Sequence, residues 1–212
     1  MRPMIEPREE EAGQQLGRRA RKALATRNAM FEAGLTAFEH RPVAVVSVLD
    51  ITEASDVAKG VFYLHFRGKD EYLIELWQFV QRNFLDALRQ RLARCRSRRA
   101  RVDGAVAHYH AMVDGSPRKC RFWLRMSSYF GDEIGQPGQM SLLRQEYLQQ
   151  LAGLIEGVAL DGVDPAAIQV ATVLDGASWG LISQALQLDV APFGRDAFVK
   201  IVSSAIRALP RG

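Results

Sequence analysis

Cysteine is almost missing from these 212 residues: Cys95 and Cys120 are the only two, and they stand at no metal-ligand or redox spacing. At this length that excludes a disulfide-stapled mini-protein, and it points to a reducing, cytoplasmic setting. No apolar run approaches the roughly 18 residues that span a bilayer, so no membrane partner is expected. Nothing near the start has the apolar core of a signal peptide. No window alternates with period two, which argues against sheet, and no internal repeat suggests a solenoid. A Ser-His-Asp grouping, a glycine-rich phosphate loop and a zinc motif are all missing, so no enzyme class declares itself and no cofactor is expected. His108 and His110 are two apart, diverge on a helix, and do not make a metal pair.

What is present is the balance of an ordered globular protein: 48% hydrophobic and 25% charged residues, with a net charge of +4. The charge is uneven. Residues 1–101 carry 19 Lys and Arg against 13 Asp and Glu, whereas residues 102–212 carry 9 against 11. The N-terminal half is therefore the one to test for a polyanionic partner.

Along the chain, residues 1–21 lack a sustained apolar stripe and read as a flexible arm. Residues 22–40 place Leu24, Met30, Phe31, Leu35 and Phe38 at helical steps, and Arg41-Pro42 stops that helix. Ser47-Val48-Leu49-Asp50 has the spacing of a capping box and opens a short helix with Val48 and Ile51 inward. Ala54-Ser55-Asp56-Val57 reads as a tight turn with Asp56 left-handed. Residues 59–66 form a second short helix, Phe62 and Phe66 facing the core, so the pair is a helix-turn-helix. A long helix follows from Lys69 to Leu92, then a basic, solvated hinge over 94–101. Five more helices are expected at about 102–114, 118–130, 139–158, 165–187 and 195–209, with Asp164 capping ahead of Pro165. The fold class is all-α with about nine helices. The domain reading is an arm over 1–21, a helix-turn-helix domain over 22–68 and a larger domain over 69–212.

The segments Ser47-Val48-Leu49-Asp50-Ile51, Val57 to Phe66 and Gly68-Lys69-Asp70-Glu71 resemble the DNA-binding domain of the TetR family of bacterial repressors. The sequence departs from that pattern at Pro42, Thr52 and Asp56, where the family commonly has Gly, Ala and Gly. A recognition helix in the major groove presents its first turn to base edges, and the small Ala58 and Gly60 let the backbone approach. The candidate DNA-binding residues are Ser47, Ala58, Lys59, Gly60, Val61, Tyr63, His65 and Lys69. Lys59 is placed for a phosphate or a guanine edge, Tyr63 and His65 for the backbone on either side, and Lys69 for phosphate at a helix start.

Beyond residue 102, aromatic and Met side chains of the kind that wall apolar pockets accumulate. The candidate ligand-binding residues are Tyr109, Met112, Trp123, Met126, Tyr129, Tyr147, Asp175 and Trp179, with Asp175 or Glu146 as an anchor for a cationic ligand. The two last helices carry the small residues Ala171, Gly176, Ala177, Gly180 and Ala205, which suggests a two-fold four-helix interface. The resemblance implies the same arrangement. The function expected is a ligand-responsive transcriptional regulator, a repressor released from a palindromic double-stranded DNA operator by a small-molecule effector and acting as a homodimer. An all-helical enzyme, or an adaptor that kept the fold without reading DNA, is the alternative.

Overall fold

A computed structural model describes residues 7–129, 138–188 and 194–207, with backbone alone at 7–16, 127–129, 139–140, 187–188 and 207. The described residues form nine α-helices and one 3-10 turn and contain no strand. In chain order the helices are α1 (Pro7–His40), α2 (Val48–Ala54), α3 (Lys59–His65), α4 (Lys69–Leu92), α5 (Arg98–Gly115), α6 (Pro117–Tyr129), α7 (Gln139–Glu156), α8 (Pro165–Leu188) and α9 (Arg195–Arg207). The chain divides into two compact units, Met1–Tyr72 and Leu73–Gly212.

In the first unit α1 packs on α2, and α2 on α3. The core joins Met30, Phe31, Leu35 and Phe38 of α1 to Val46, Ile51, Phe62 and Phe66 and to Tyr72, all nearly solvent-free. The rings of Phe31, Phe62, Phe66 and Tyr72 lie 5.1–5.8 Å apart. The Tyr72 hydroxyl donates to the Met30 carbonyl across 2.8 Å, so the first turn of α4 belongs to this unit rather than to the larger one.

Two N-terminal expectations are corrected. Residues 7–21 are helical rather than an arm, and Leu24 is 59% exposed rather than buried. This part of α1 is held by local preference, since it is built mostly of Glu, Ala, Gln and Arg, all good helix formers, and residues 17–25 are exposed. An apolar stripe is needed only where the helix packs, from about Met30 onward.

In the second unit α7 packs on α8, α5 on α9, and α5 also touches α6, α7 and α8. Its helices begin and end close to the expected positions, and Asp164 caps α8 by accepting from the Ala167 amide at 2.7 Å. The basic hinge is shorter than expected. Ser97 caps α5, and both Arg98 and Arg101 lie on that helix. Arg98 Nε donates to both Glu156 oxygens, at 2.7 and 2.8 Å, while Arg101 donates to the carbonyls of Ile155 and Glu156, each at 2.7 Å. These carbonyls are the unpaired ones at the negative end of α7, which is where a cation is most useful. The expected turns over 131–138 and 191–194 fall largely outside the described residues.

Candidate functional site

The short helices α2 and α3 are set by three local devices. The Ser47 side chain accepts from the Asp50 amide and the Asp50 carboxylate accepts from the Ser47 amide, a reciprocal capping box. Arg41 binds the same carboxylate at 2.6 Å, and these bonds hold the Asp50 pKa well below the usual carboxylate range. In the turn Asp56 takes φ +54°, and the Val57 amide donates to the Thr52 carbonyl at 3.0 Å. Thr52 is buried, and its hydroxyl is satisfied by the Leu49 carbonyl at 3.0 Å, which is how the crossing accepts Thr.

Helix α3 rotates 100° per residue, and this decides which side chains it offers. Lys59, Gly60, Tyr63 and Leu64 fall on one continuous side and are exposed, Tyr63 at 51% and Leu64 at 83%. Val61, Phe62 and His65 take the other side and are half-buried or buried. Two residues named from the sequence, Val61 and His65, therefore turn away from the presented face, while Leu64 was missed. The signal was there: a residue five past Lys59 and one past Tyr63 completes that face. Ala58 caps α3 without a side-chain bond, leaving its first-turn amides uncovered by side chain.

Lys69 and Ser47 are occupied. Lys69 Nζ donates to the carbonyls of Val43 (2.6 Å) and Ala44 (3.3 Å), and burial lowers its pKa. It pins the loop ahead of α2. Ser47 stays exposed, with its hydroxyl engaged by Asp50.

In the second unit the structure gathers most of the named aromatic residues. Tyr109, Trp123, Met126, Tyr147, Asp175 and Trp179 are buried, Met112 is half-buried, Glu146 is exposed, and the Tyr129 side chain lies outside the described residues. Trp123 stacks on Trp179 with centroids 5.0 Å apart, and Tyr147 meets Trp123 edge-on at 5.3 Å. Asp175 is the polar centre: Oδ1 lies 2.7 Å from the Tyr109 hydroxyl and 3.2 Å from that of Tyr147, and Oδ2 pairs with Arg144 at 2.9 Å. The two phenols are 2.6 Å apart. Burial raises the Asp175 pKa against the pull of Arg144, and burial also drives both tyrosines well above the usual phenol range. The expectation of a cation at Asp175 is revised, because Arg144 already holds that place. Burial pushes the Cys120 thiol up to about 12. A separate open groove of about 400 Å³, lined by Arg91, Arg195, Lys200 and Ser203 among others, includes none of the named ligand residues.

Residues 31–76 match the family described as bacterial regulatory proteins, tetR family. The match starts in α1, takes in the whole helix-turn-helix and ends in the second turn of α4. Residues 31–76 are thus a TetR-family DNA-binding segment.

Two curated relatives cover the same region. The probable acrEF/envCD operon repressor of Escherichia coli K12 is 32% identical over 56 residues, 26% of either chain. The uncharacterized HTH-type transcriptional regulator YwcC of Bacillus subtilis is 40% identical over 55 residues, 26% of this chain and 25% of that one. The alignment thus spans about a quarter of the curated relatives it matches. Solved structures extend the fold likeness along the chain. A TetR family transcription regulator from Marinobacter aquaeolei covers 89% of this chain and 96% of its own at TM-score 0.66 and 16% identity. The transcriptional regulator FadR of Bacillus subtilis in complex with stearoyl-CoA covers 85% and 97% at TM-score 0.66 and 14% identity. At such identities the likeness is one of fold. Among the described residues no helix is long and apolar enough to cross a membrane.

Proposed function

We propose that the protein is a ligand-responsive DNA-binding transcriptional regulator, a repressor whose α3 reads double-stranded DNA and whose second unit binds a small-molecule effector. The observation that carries the reading is the presented side of α3. Lys59, Gly60, Tyr63 and Leu64 stand exposed on a helix anchored from behind by Phe62 and Phe66, inside the segment that matches the family. A cation, a bare backbone position and a phenol suit phosphate and guanine contacts, and an exposed leucine suits a thymine methyl group. Ala58 lets the first turn come close. Val61 and His65 then support the face, and Ser47 and Lys69 fix α2 and the loop before it, with DNA contact through what remains of their hydrogen-bonding capacity.

Dimerisation uses the outer sides of α8 and α9. On α8, Thr172, Val173, Gly176 and Gly180 share one exposed side, and the space above both glycines is open; on α9, Ile201 and Ala205 do the same. Ala171 is not part of this surface, since it is buried within its own unit. A two-fold dimer implies a palindromic operator. Effector binding is assigned to the cluster around Trp123 and Asp175, with Tyr109, Met112, Met126, Tyr147 and Trp179 as its walls. That a structural neighbour holds stearoyl-CoA supports a ligand-binding second unit and leaves the ligand's identity to this chain's own residues. The helix α4 is continuous from the first unit into the second, so a ligand that shifts it biases α2 and α3.

The test is a mobility shift with the full chain on DNA flanking its own gene. The wild type should retard one fragment at low salt, and Lys59→Ala together with Tyr63→Ala should weaken binding by about 10-fold or more. Equal retardation by wild type and double variant would remove α3 from the interface.

A further inference from the structure

On α8 the residues Asp175, Ser178, Trp179 and Ile182 follow the three- and four-residue step of one helix side, and all are buried. On α4, Trp77, Gln81 and Phe84 do likewise. Trp123 of α6 joins the two: its ring centroid lies 5.5 Å from Trp77, 6.5 Å from Phe84 and 5.0 Å from Trp179, the last pair with planes only 15° apart. Gln81 sits one turn beyond Trp77 and three residues before Phe84, so it is on the same buried side of α4 as the two rings that reach Trp123.

The hydrogen-bonding capacity of this shell divides sharply. Both Asp175 oxygens are engaged, Oδ1 by Tyr109 and Tyr147 and Oδ2 by Arg144. Gln81 Nε2, Ser178 Oγ and Trp179 Nε1 are buried and have no partner among the described residues. The amide and indole nitrogens can only donate, and the hydroxyl can donate as well. A buried donor left unpaired is costly, so a shell holding three of them is incomplete in one chemical sense: it lacks acceptors.

We propose that the effector is a neutral, planar aromatic compound bearing a carbonyl or equivalent uncharged acceptor. Its ring lies against Trp123 and Trp179, and its oxygen accepts from Gln81 and Trp179. This rests on the effector-binding reading above and names the ligand class. A ligand ammonium would find no free counter-charge, because Arg144 and the two phenols engage Asp175 and the unpartnered Ser178 hydroxyl is neutral. A ligand carboxylate would enter beside a buried carboxylate with no spare cation, since Gln81, Ser178 and Trp179 are all neutral. An aromatic hydrocarbon would leave the three donors as they are. The rings now pack on one another, so entry separates the Trp123–Trp179 pair and changes indole emission.

The probes are 9-fluorenone, fluorene, which has the same planar shape without the carbonyl, and 9-fluorenone-4-carboxylate. They are titrated into the full chain without DNA and followed by tryptophan emission and calorimetry. Fluorenone should bind saturably and about tenfold or more tighter than either of the other two. Gln81→Leu and Trp179→Phe should each bring fluorenone to within about threefold of fluorene, with Gln81→Leu leaving the thermal midpoint of the free protein unchanged or higher. The proposal is overturned if fluorene or the carboxylate binds as well as fluorenone, if fluorenone does not saturate, or if both variants keep wild-type preference. DNA binding is measured separately. Its loss would end the regulator reading and leave the fluorenone isotherm standing, whereas a failed isotherm with DNA binding intact removes only the ligand class.

Discussion

Gly34 lies under the Tyr72 phenol, and a Cβ there would sit 1.8 Å from the Tyr72 oxygen and 3.0 Å from its ring. Elsewhere in an α-helix, Ala would be the better residue. Here Gly34→Ala is expected to cost about 2 kcal/mol, as overpacking a tight core does. Tyr72→Phe removes the clashing oxygen, so the double variant should be more stable than the two single losses added together. A double-mutant cycle by urea unfolding measures this, and strict additivity would show that the contact is relieved some other way. His108 supplies a pH test. Its Nε2 donates to the Phe84 carbonyl at 3.2 Å, and burial holds its pKa below the usual imidazole range. The unfolded chain, titrating near about 6.5, takes up the proton first. Stability is therefore full above that value, falls as pH drops through it, and levels off below the depressed folded value. His108→Gln keeps a donor and should flatten this fall relative to wild type between about pH 7.5 and 5. Parallel curves would contradict the assignment.

At the scale of elements, the α5–α7 contact makes the sharpest prediction. Gly157 ends α7 with φ +75° and its amide donates to the Gly153 carbonyl at 2.8 Å, while a Cβ would meet the Arg101 guanidinium at 2.8 Å. Gly157→Ala should cost about 1–2 kcal/mol from the left-handed backbone alone, with the displaced guanidinium adding to it. Arg101→Ala should cost about 1–3 kcal/mol by stranding two carbonyls, and Arg101→Lys should recover only part because a single ammonium cannot reproduce the fork. Thermal unfolding of the three variants checks this, and a neutral Arg101→Ala would mean water serves those carbonyls equally well. These elements also show what sequence can and cannot reveal. The capping box at Ser47 and Asp50, the left-handed Asp56 and the Asp164 cap are legible because each depends on residues within a few positions. The roles of Arg98, Arg101 and Lys69 are not, because the partners described above lie 25 to 58 residues away. The extent of α1 was missed for the opposite reason: an apolar stripe was sought where local preference alone sustains the helix. On α3 the core pair Phe62 and Phe66 is legible from its four-residue step, whereas the candidate contacts Val61 and His65 lie off the exposed side that Lys59, Gly60, Tyr63 and Leu64 share.

For the whole molecule, the proposed function joins a DNA-reading α3 in each of two subunits to an effector shell within the second unit. The aromatic shell was foreseen as a group, since composition collects Trp, Tyr and Met over residues 109–179. Which polar atoms it leaves unpaired emerged only from packing. The central claim is that α3, paired through a two-fold axis, lies in two successive major grooves. Its most direct measurement is a hydroxyl-radical footprint of the full chain on DNA flanking its own gene. Two protected half-sites of inverted sequence, centred about one helical turn apart or a multiple of it, are predicted, with Lys59→Ala weakening both halves together. A single unpaired patch of protection, or none at low salt, would contradict it.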